Sequence, residues 1–202
     1  MPAAMPRALA LLLAIVLLPG AARAHLEGSD AGLLNGLLHP AFGRDHLIAM
    51  ISVGVVSVQL GGANIWRLPL AFVAAMTAGA ALGMARISLP YAELGIAASV
   101  VVLGVGILVT DRGTSPWPIA GLVLLFGACH GHAHGLEIPK SVSPALYTLG
   151  FVISTAVLHI FGMIIGEVAT MQRWLSKGLR FTGAAVTVSG VAFLLQSFSG
   201  AA

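Results

Sequence analysis

The chain has 202 residues, of which 58% are hydrophobic and only 8% are charged, and its mean hydropathy is +0.98. Because soluble domains carry roughly a quarter charged residues, this composition excludes a soluble globular protein. The formal net charge of +3 does not indicate binding to nucleic acid, since the few basic residues of a membrane protein mainly mark its topology. The composition therefore predicts an all-α integral membrane protein that is embedded in a lipid bilayer.

Residues 1–24 are predicted to be a cleaved signal peptide. Arg7 gives a short basic region, residues 8–18 are apolar, and an A-x-A cleavage motif follows at residues 22–24. The apolar core is too short to span a bilayer comfortably. Cleavage after this motif would make His25 the first residue of the mature chain, and the alternative is an uncleaved N-terminal anchor.

Six apolar stretches follow, each near the roughly 20 residues that a bilayer requires. They lie near residues 32–59, 67–86, 92–110, 117–136, 144–170 and 179–198. We predict that they form a single six-helix transmembrane domain over residues 25–202, and that Pro40 breaks the first helix directly after His39. Since each half would contribute three spans, an internal repeat would consist of two inverted three-helix halves.

The basic residues orient this domain in the membrane. With the mature N-terminus outside, the outer loops hold only Arg86 and Lys140. The inner loops would then hold five basic residues: Arg67, Arg112, Arg173, Lys177 and Arg180. This distribution agrees with the positive-inside rule, and an even number of spans returns the C-terminus to the outside. We predict a multi-pass protein of the bacterial inner membrane with both mature termini on the extracytoplasmic side.

A histidine-rich segment at the end of the fourth stretch is the main concentration of polar side chains. In a helix, His130, His134 and Glu137 lie at i, i+4 and i+7 and so share one stripe, while His132 points roughly to the opposite side. Imidazole and carboxylate groups suit divalent transition metals, and ionisable groups inside membrane helices are functional candidates. The alternative interpretation is that these histidines bond neighbouring carbonyls and only hold helices together.

The same segment carries three regularly spaced glycines next to the histidine stripe: Gly127, Gly131 and Gly135. Small residues at this spacing let a second helix backbone approach closely. Cys129 precedes the first histidine of the segment and is either a soft metal ligand or a small buried residue.

A second polar segment lies in the first span. Four side chains share a helical stripe there: Asn35, His39, His46 and Met50. Asp45 lies off this stripe in an ideal helix, so either the proline kink rotates it in or it pairs elsewhere. Arg44 and Asp45 could alternatively form salt bridges with intramembrane partners. Because the first span enters from outside and the fourth exits to outside, we expect the two polar segments to lie at similar depth and to meet in one site.

The fifth span carries a further set of polar residues. His159 and Glu167 are predicted to extend a polar ladder through the bundle, although a lone buried histidine often makes only a hydrogen bond between helices. The methionines are scattered in the sequence, which argues against a copper(I) pathway. Glu93 and Asp111 lie at loop edges and are interpreted as solvated.

The two motifs resemble those of the HupE/UreJ family of hydrogenase and urease accessory membrane proteins. The family pattern H-P-x-x-G-x-D-H is found here at residues 39–46, and the pattern H-G-x-A-H-G-x-E at residues 130–137. The resemblance covers essentially the mature chain in length, signal and span count. It implies permeation of nickel or cobalt for the maturation of a metalloenzyme. The first motif is also similar to the H-x4-D-H signature of nickel/cobalt transporters, although five residues separate His39 and Asp45 here.

We predict that the protein is a permease for a divalent transition metal, Ni²⁺ or alternatively Co²⁺, and not an enzyme. The ion would be the transported substrate, with no fixed cofactor, and a homo-oligomer is left open. The predicted metal ligands are His39, Asp45, His46, His130, His134 and Glu137, with a secondary pathway through His132, His159, Glu167 and Cys129. The alternative function is a membrane-embedded zinc-dependent hydrolase that uses the same cluster, with Glu137 or Asp45 as the general base. A third is a metal-sensing partner of a larger transporter.

His25 is a further predicted metal ligand. As the first mature residue it would present an α-amine and an imidazole, which can chelate one divalent ion. Glu27 and Asp30 follow, and their negative charge would draw cations toward the entrance. We expect His25 to capture the ion and to pass it to His39 and His130.

Overall fold

A computed structural model describes residues 31–199 of the chain. Within this range α-helices are the only regular secondary structure, and there is no strand. The seven helices described are α1 Ala31–Phe42, α2 Arg44–Leu60, α3 Asn64–Met84, α4 Ala92–Val109, α5 Pro116–Leu136, α6 Pro144–Thr170 and α7 Arg173–Ser199. The predicted signal peptide and His25 lie outside the described residues.

Five of the helices in the described range, α3 to α7, are long and apolar enough to cross a membrane. Helices α1 and α2 pass the same test only as a pair, and they are bent by 73° at the break between them. The number of candidate spans is therefore five, or six if the bent pair forms a single broken span. This architecture fits a multi-pass membrane protein.

The first span breaks at Gly43 and not directly after His39, so the predicted position of the break is wrong. α1 continues through Pro40 to Phe42, and the Gly43 N–H still donates to the His39 carbonyl at 3.2 Å. Proline removes one backbone donor without forcing the helix to end there. Gly43 instead adopts an extended conformation, with φ −77° and ψ 107°, and precedes α2. A Cβ at Gly43 would lie 3.2 Å from the His46 Nδ1, so the glycine leaves room for the imidazole.

Helices α3 and α5 pack backbone to backbone through small residues on both helices. A Cβ at Gly131 would lie 1.8 Å from the Met76 carbonyl oxygen, and a Cβ at Gly79 would lie 2.2 Å from the Ala128 carbonyl oxygen. The prediction that the glycines of α5 allow a close helix contact is therefore confirmed, and α3 is the helix that packs there. This contact holds the histidine-bearing part of α5 against the centre of the bundle.

Helices α2 and α6 pack in the same manner. A Cβ at Gly54 would lie 2.2 Å from the His159 carbonyl oxygen, and a Cβ at Gly162 would lie 2.0 Å from the Ile51 carbonyl oxygen. α1 also packs on α6, and α4 packs on α7. In an inverted repeat, the first, second and third spans would correspond to the fourth, fifth and sixth. The contact of α3 with α5 would then correspond to the contact of α6 with the first span. The packing is thus compatible with two inverted halves, which stay a prediction.

The interior of the bundle is closely packed on the faces of α2, α3 and α6 that meet there. Its fully buried large side chains include Met50, Val53, Phe72, Met76 and Phe151. Two of these side chains, Phe72 and Phe151, contact histidines of the polar motifs.

The connecting segments lie at two ends of the bundle. At one end, Gln59, Arg112 and Arg180 line a cavity of about 180 Å³. At the other end, the His132 Nε2 lies 2.9 Å from the carbonyl oxygen of Ile87, between α3 and α4. The basic loops that are predicted to lie inside are therefore at one end of the bundle, and the histidine motifs are at the other.

Candidate metal-binding site

The structure brings together the four histidines of the two predicted motifs. His39 comes from α1, His46 from the first turn of α2, and His130 and His134 from the last turns of α5. The His46 ring centroid lies 4.6 Å from that of His130 and 4.8 Å from that of His134. The His39 and His134 centroids are 4.9 Å apart. We call these four side chains the imidazole cluster.

The imidazole cluster is buried progressively from one end of the bundle toward its centre. The side chain of Glu137, at the end of α5, is 51% exposed, and that of His39 is 33% exposed. The His46 side chain is 11% exposed, and His130 and His134 are fully buried. An ion that enters beside Glu137 would therefore meet ligands of decreasing exposure.

The outermost part of the cluster pairs an imidazole with a carboxylate. The His39 Nε2 lies 2.8 Å from the Glu137 Oε2. One candidate ligand atom from each of His39, His134 and Glu137 can be chosen so that the three lie within 4.8 Å of one another. Two imidazoles and a carboxylate at this spacing can hold a divalent transition metal.

Asp45 forms hydrogen bonds with His46 and does not lie on the helical stripe that carries His46. The Asp45 Oδ1 accepts hydrogen bonds from both the backbone N–H and the Nδ1 of His46, each at 2.9 Å. Asp45 therefore pairs with its neighbour through Oδ1, and its predicted role as a metal ligand stays a prediction. With the proton on Nδ1, the buried Nε2 of His46 has a free lone pair, and it has no hydrogen-bond partner in the described part of the chain. A carboxylate that orients an imidazole in this way is typical of metal sites.

Ser99 on α4 likewise determines which ring nitrogen of His130 carries the proton. The Ser99 hydroxyl donates to the Ile96 carbonyl oxygen at 2.6 Å, and its oxygen lies 3.0 Å from the His130 Nε2. Since the hydroxyl proton is already used, the His130 Nε2–H must donate to Ser99. The lone pair of His130 is thereby placed on Nδ1, which is buried and has no partner among residues 31–199.

His134 is held by an aromatic contact instead of a hydrogen bond. Its ring stacks on Phe151 with centroids 4.9 Å apart and planes 12° apart. Neither of its ring nitrogens has a hydrogen-bond partner within the described residues. A buried polar atom without a partner costs about 1–3 kcal/mol. The imidazole cluster therefore contains several buried nitrogens that a bound ion would satisfy.

Three residues of the predicted pathway do not join the imidazole cluster. His132 faces away, as its helical position predicts, and its Nε2 lies 2.9 Å from the Ile87 carbonyl oxygen. Cys129 is free and buried in a small apolar cluster beside Ala92 and Ile96. Glu167 is exposed on α6, so the predicted polar ladder does not extend to it.

His159 lies deeper in the bundle than the imidazole cluster. It is fully buried, and its ring meets Phe72 edge to face at a centroid distance of 5.2 Å. The Phe72 ring also lies 5.6 Å from the His130 ring. Phe72 thus connects His159 to the imidazole cluster.

Several residues at the site were not singled out from the sequence. Ser99 is one hydroxyl in an apolar helix, and no local pattern indicates its contact with His130. Tyr147 and Phe151 contact His39 and His134, respectively. The sequence pattern that could have indicated them is a four-residue spacing on α6. It places Tyr147, Phe151, Thr155 and His159 on one face of the helix. Glu93, which was interpreted as solvated, is exposed at the start of α4 but lies close enough to interact electrostatically with Glu137 and His46.

Comparison with known proteins places the chain in a family. Its sequence is 38% identical over 189 residues to Protein HupE of Rhizobium leguminosarum bv. viciae, covering 91% of this chain and 95% of that protein. No solved structure matches the chain significantly. The family described as HupE / UreJ protein matches residues 13–193. The chain therefore belongs to the HupE/UreJ family of hydrogenase and urease accessory proteins.

Proposed function

We propose that the protein is a membrane permease that moves a divalent transition metal, Ni²⁺ in preference to Co²⁺, into the cytoplasm for metalloenzyme maturation. The observation that carries this proposal is the convergence of four imidazoles from α1, α2 and α5, several of whose nitrogens are buried and have no hydrogen-bond partner among residues 31–199. Family membership supports a metal-related accessory role and gives no support to a zinc-dependent hydrolase. The ion is the substrate, and the proposal needs no fixed cofactor and no catalytic residue.

In this proposal the imidazole nitrogens replace the water shell of the ion. His39, His134 and Glu137 would receive the ion at the exposed end of the cluster, and His46 and His130 would bind it one step deeper. Asp45 and Ser99 act through His46 and His130, because each fixes the nitrogen on which the proton resides. The ligand atoms offered to the ion are then the His46 Nε2 and the His130 Nδ1.

The charges around the cluster match a divalent cation. Glu137 and Asp45 each contribute a carboxylate close to the imidazoles. Their two negative charges would offset the two positive charges of the ion, which lowers the cost of moving it out of water. Arg44 is exposed at the start of α2, so its charge does not have to enter the site.

Binding must also permit release. A conducting pathway requires sites that are weak or numerous enough for the ion to leave, and the graded burial of the cluster provides ligands in succession. The inside-negative membrane potential contributes about 2.3 kcal/mol per charge per 100 mV to inward movement of a cation. This driving force favours entry of a divalent ion without any further coupling.

We extend the proposal to the membrane topology. The bent pair α1–α2 would count as one span, which gives six spans with a cleaved signal peptide in the inner membrane. Both mature termini would lie on the extracytoplasmic side, so the imidazole cluster would open outward. The end that carries Arg112 and Arg180 would face the cytoplasm, in agreement with the positive-inside rule. His25 would then act as the capture residue at the entrance.

Nickel uptake into proteoliposomes that contain only this chain tests the proposal. His39→Ala, His46→Ala, His130→Ala and His134→Ala should each remove most uptake while the protein is still inserted. His132→Ala is the matched control, because His132 lies on the same helix as two of them but contacts the Ile87 carbonyl instead. A wild-type chain that takes up no nickel, or a set of variants in which only His132→Ala is impaired, would contradict the proposal.

A further inference from the structure

Two methionines that are distant in the sequence meet inside the bundle. The Thr155 hydroxyl on α6 lies 3.3 Å from the Met50 Sδ on α2 and 3.6 Å from the Met76 Sδ on α3. All three side chains are fully buried. The two methionines are separate in the sequence, but the fold brings both thioethers to one hydroxyl.

The methionine pair lies between the imidazole cluster and His159. Met50 follows His46 by one turn of α2, and Thr155 precedes His159 by one turn of α6. Each step along these helices leads away from the exposed end that carries Glu137. An ion that moves inward from His46 would therefore reach the two sulfur atoms before it reaches His159.

His159 lies one helical turn inward of Thr155 on the same face of α6. Both of its ring nitrogens are buried without a hydrogen-bond partner in the part of the chain that the structure describes. Thioether sulfur is a soft ligand and imidazole nitrogen a borderline one, so this set suits Ni²⁺, Cu⁺ and Ag⁺ better than Mg²⁺ or Mn²⁺. We propose that Met50, Met76 and His159 form an inner ion-binding station that favours soft and borderline metal ions.

The inner station rests on the proposed function for its supply of ions and adds a basis for ion selection. A hard ion that leaves the imidazole cluster would exchange oxygen or nitrogen ligands for sulfur, which it binds poorly. A borderline ion meets a smaller penalty at the same step. Because the thioethers carry no charge, they hold a divalent ion less firmly than a carboxylate does, which also allows release.

Silver binding to the full chain in detergent tests the inner station directly. Ag⁺ is the probe because it prefers thioether sulfur and does not broaden magnetic resonance signals. The chain would carry methionines labelled with carbon-13 at the methyl group, in a Cys129→Ala background that removes its free thiol. We expect the first equivalent of Ag⁺ to shift two methionine methyl signals. Met50→Leu and Met76→Leu should each remove one of them.

Met163→Leu is the matched control, because Met163 is also buried on α6. Methionine-to-leucine substitutions nearly conserve volume and apolar character, so all three variants should fold. Met50→Leu and Met76→Leu should weaken Ag⁺ binding by about tenfold or more, and Met163→Leu should leave it unchanged. If the first equivalent of Ag⁺ shifts neither signal of the pair, or shifts all methionine signals equally, the inner station is refuted.

Uptake measurements separate this inference from the proposed function. In proteoliposomes, Met50→Leu and Met76→Leu should lower the ratio of Ni²⁺ to Mn²⁺ uptake several-fold, with Met163→Leu as the reference. A wild-type chain that binds Ag⁺ at the methionine pair but transports no nickel would overturn the proposed function alone. A chain that transports nickel with the same ion preference in all three variants and shows no methyl shift would overturn the inner station alone.

Discussion

Ser99 contacts the imidazole cluster without offering a ligand to it, and its removal tests how the cluster is organised. Its oxygen receives the His130 Nε2–H at 3.0 Å while its own proton goes to the Ile96 carbonyl oxygen. Ser99→Ala removes this acceptor and leaves the imidazole buried. The proton of His130 then has no reason to stay on Nε2, so the lone pair is no longer fixed on Nδ1.

The expected size of the effect follows from the burial of the contact. A buried N–H that loses its partner costs about 1–3 kcal/mol, and His130 relieves this cost by turning its ring or moving its proton to Nδ1. Either change withdraws the free nitrogen from the ion. Loss of such an orienting partner weakens metal affinity by about 10–100-fold. We expect a value near tenfold, or about 1.4 kcal/mol, because the other three imidazoles are unchanged.

Calorimetric titration of the purified chain with Ni²⁺ measures this effect, and nitrogen-15 spectra of the imidazoles report which nitrogen of His130 carries the proton. Ser57→Ala is the matched control, since the Ser57 hydroxyl is equally buried but donates to the Gly54 carbonyl oxygen at 2.7 Å. We expect normal nickel affinity for this variant. Equal losses in the two variants would show a general packing defect, and unchanged affinity in Ser99→Ala would refute the role given to Ser99.

Three further predictions follow from the same geometry. Asp45→Asn should keep membrane levels but reduce nickel uptake in proteoliposomes, because the amide can still orient His46 while the negative charge is lost. Gly131→Ala should destabilise the protein by about 1–3 kcal/mol in thermal unfolding, since the added Cβ would lie 1.8 Å from a carbonyl oxygen. Gly121→Ala is the control and should be neutral, because its Cβ meets nothing within 4 Å. Nickel binding should weaken on acidification, because protons compete with the ion for the imidazole nitrogens, and full nickel binding by the double variant His130→Ala/His134→Ala would indicate carboxylate ligands instead.

Much of the site could be predicted from helical spacing. His130 and His134 share one face of α5 because they lie four residues apart, and the same argument places His132 on the other face. The glycine stripe predicted a close helix contact, and α3 provides it. These features are local, since they depend only on the period of the helix and on the size of the side chains.

The remaining features depend on contacts between distant segments. The Met50–Thr155–Met76 contact arises only when α2, α3 and α6 are packed together, so separate methionines in the sequence give no sign of it. The bend at Gly43 was predicted three residues too early, because Pro40 is the stronger local signal. Glu167 was predicted to extend the polar ladder, yet the buried face of α6 continues to Gly166 and leaves the carboxylate exposed. A one-residue step on a helix turns a side chain by about 100°, which is enough to change its environment.

The order of exposure along the cluster has a consequence for the cost of permeation. Removing a divalent ion from water in one step would be prohibitive, because even a single buried charge costs tens of kcal/mol when it is unpaired. The fall in side-chain exposure from 51% at Glu137 through 33% at His39 to 11% at His46 would divide this cost among successive ligand exchanges. Glu137 provides negative charge at the first exchange and Asp45, behind His46, at the next. In the proposed pathway, His159 and the two thioethers come after both carboxylates, so an ion that reached them would be bound by neutral groups and could continue inward under the membrane potential.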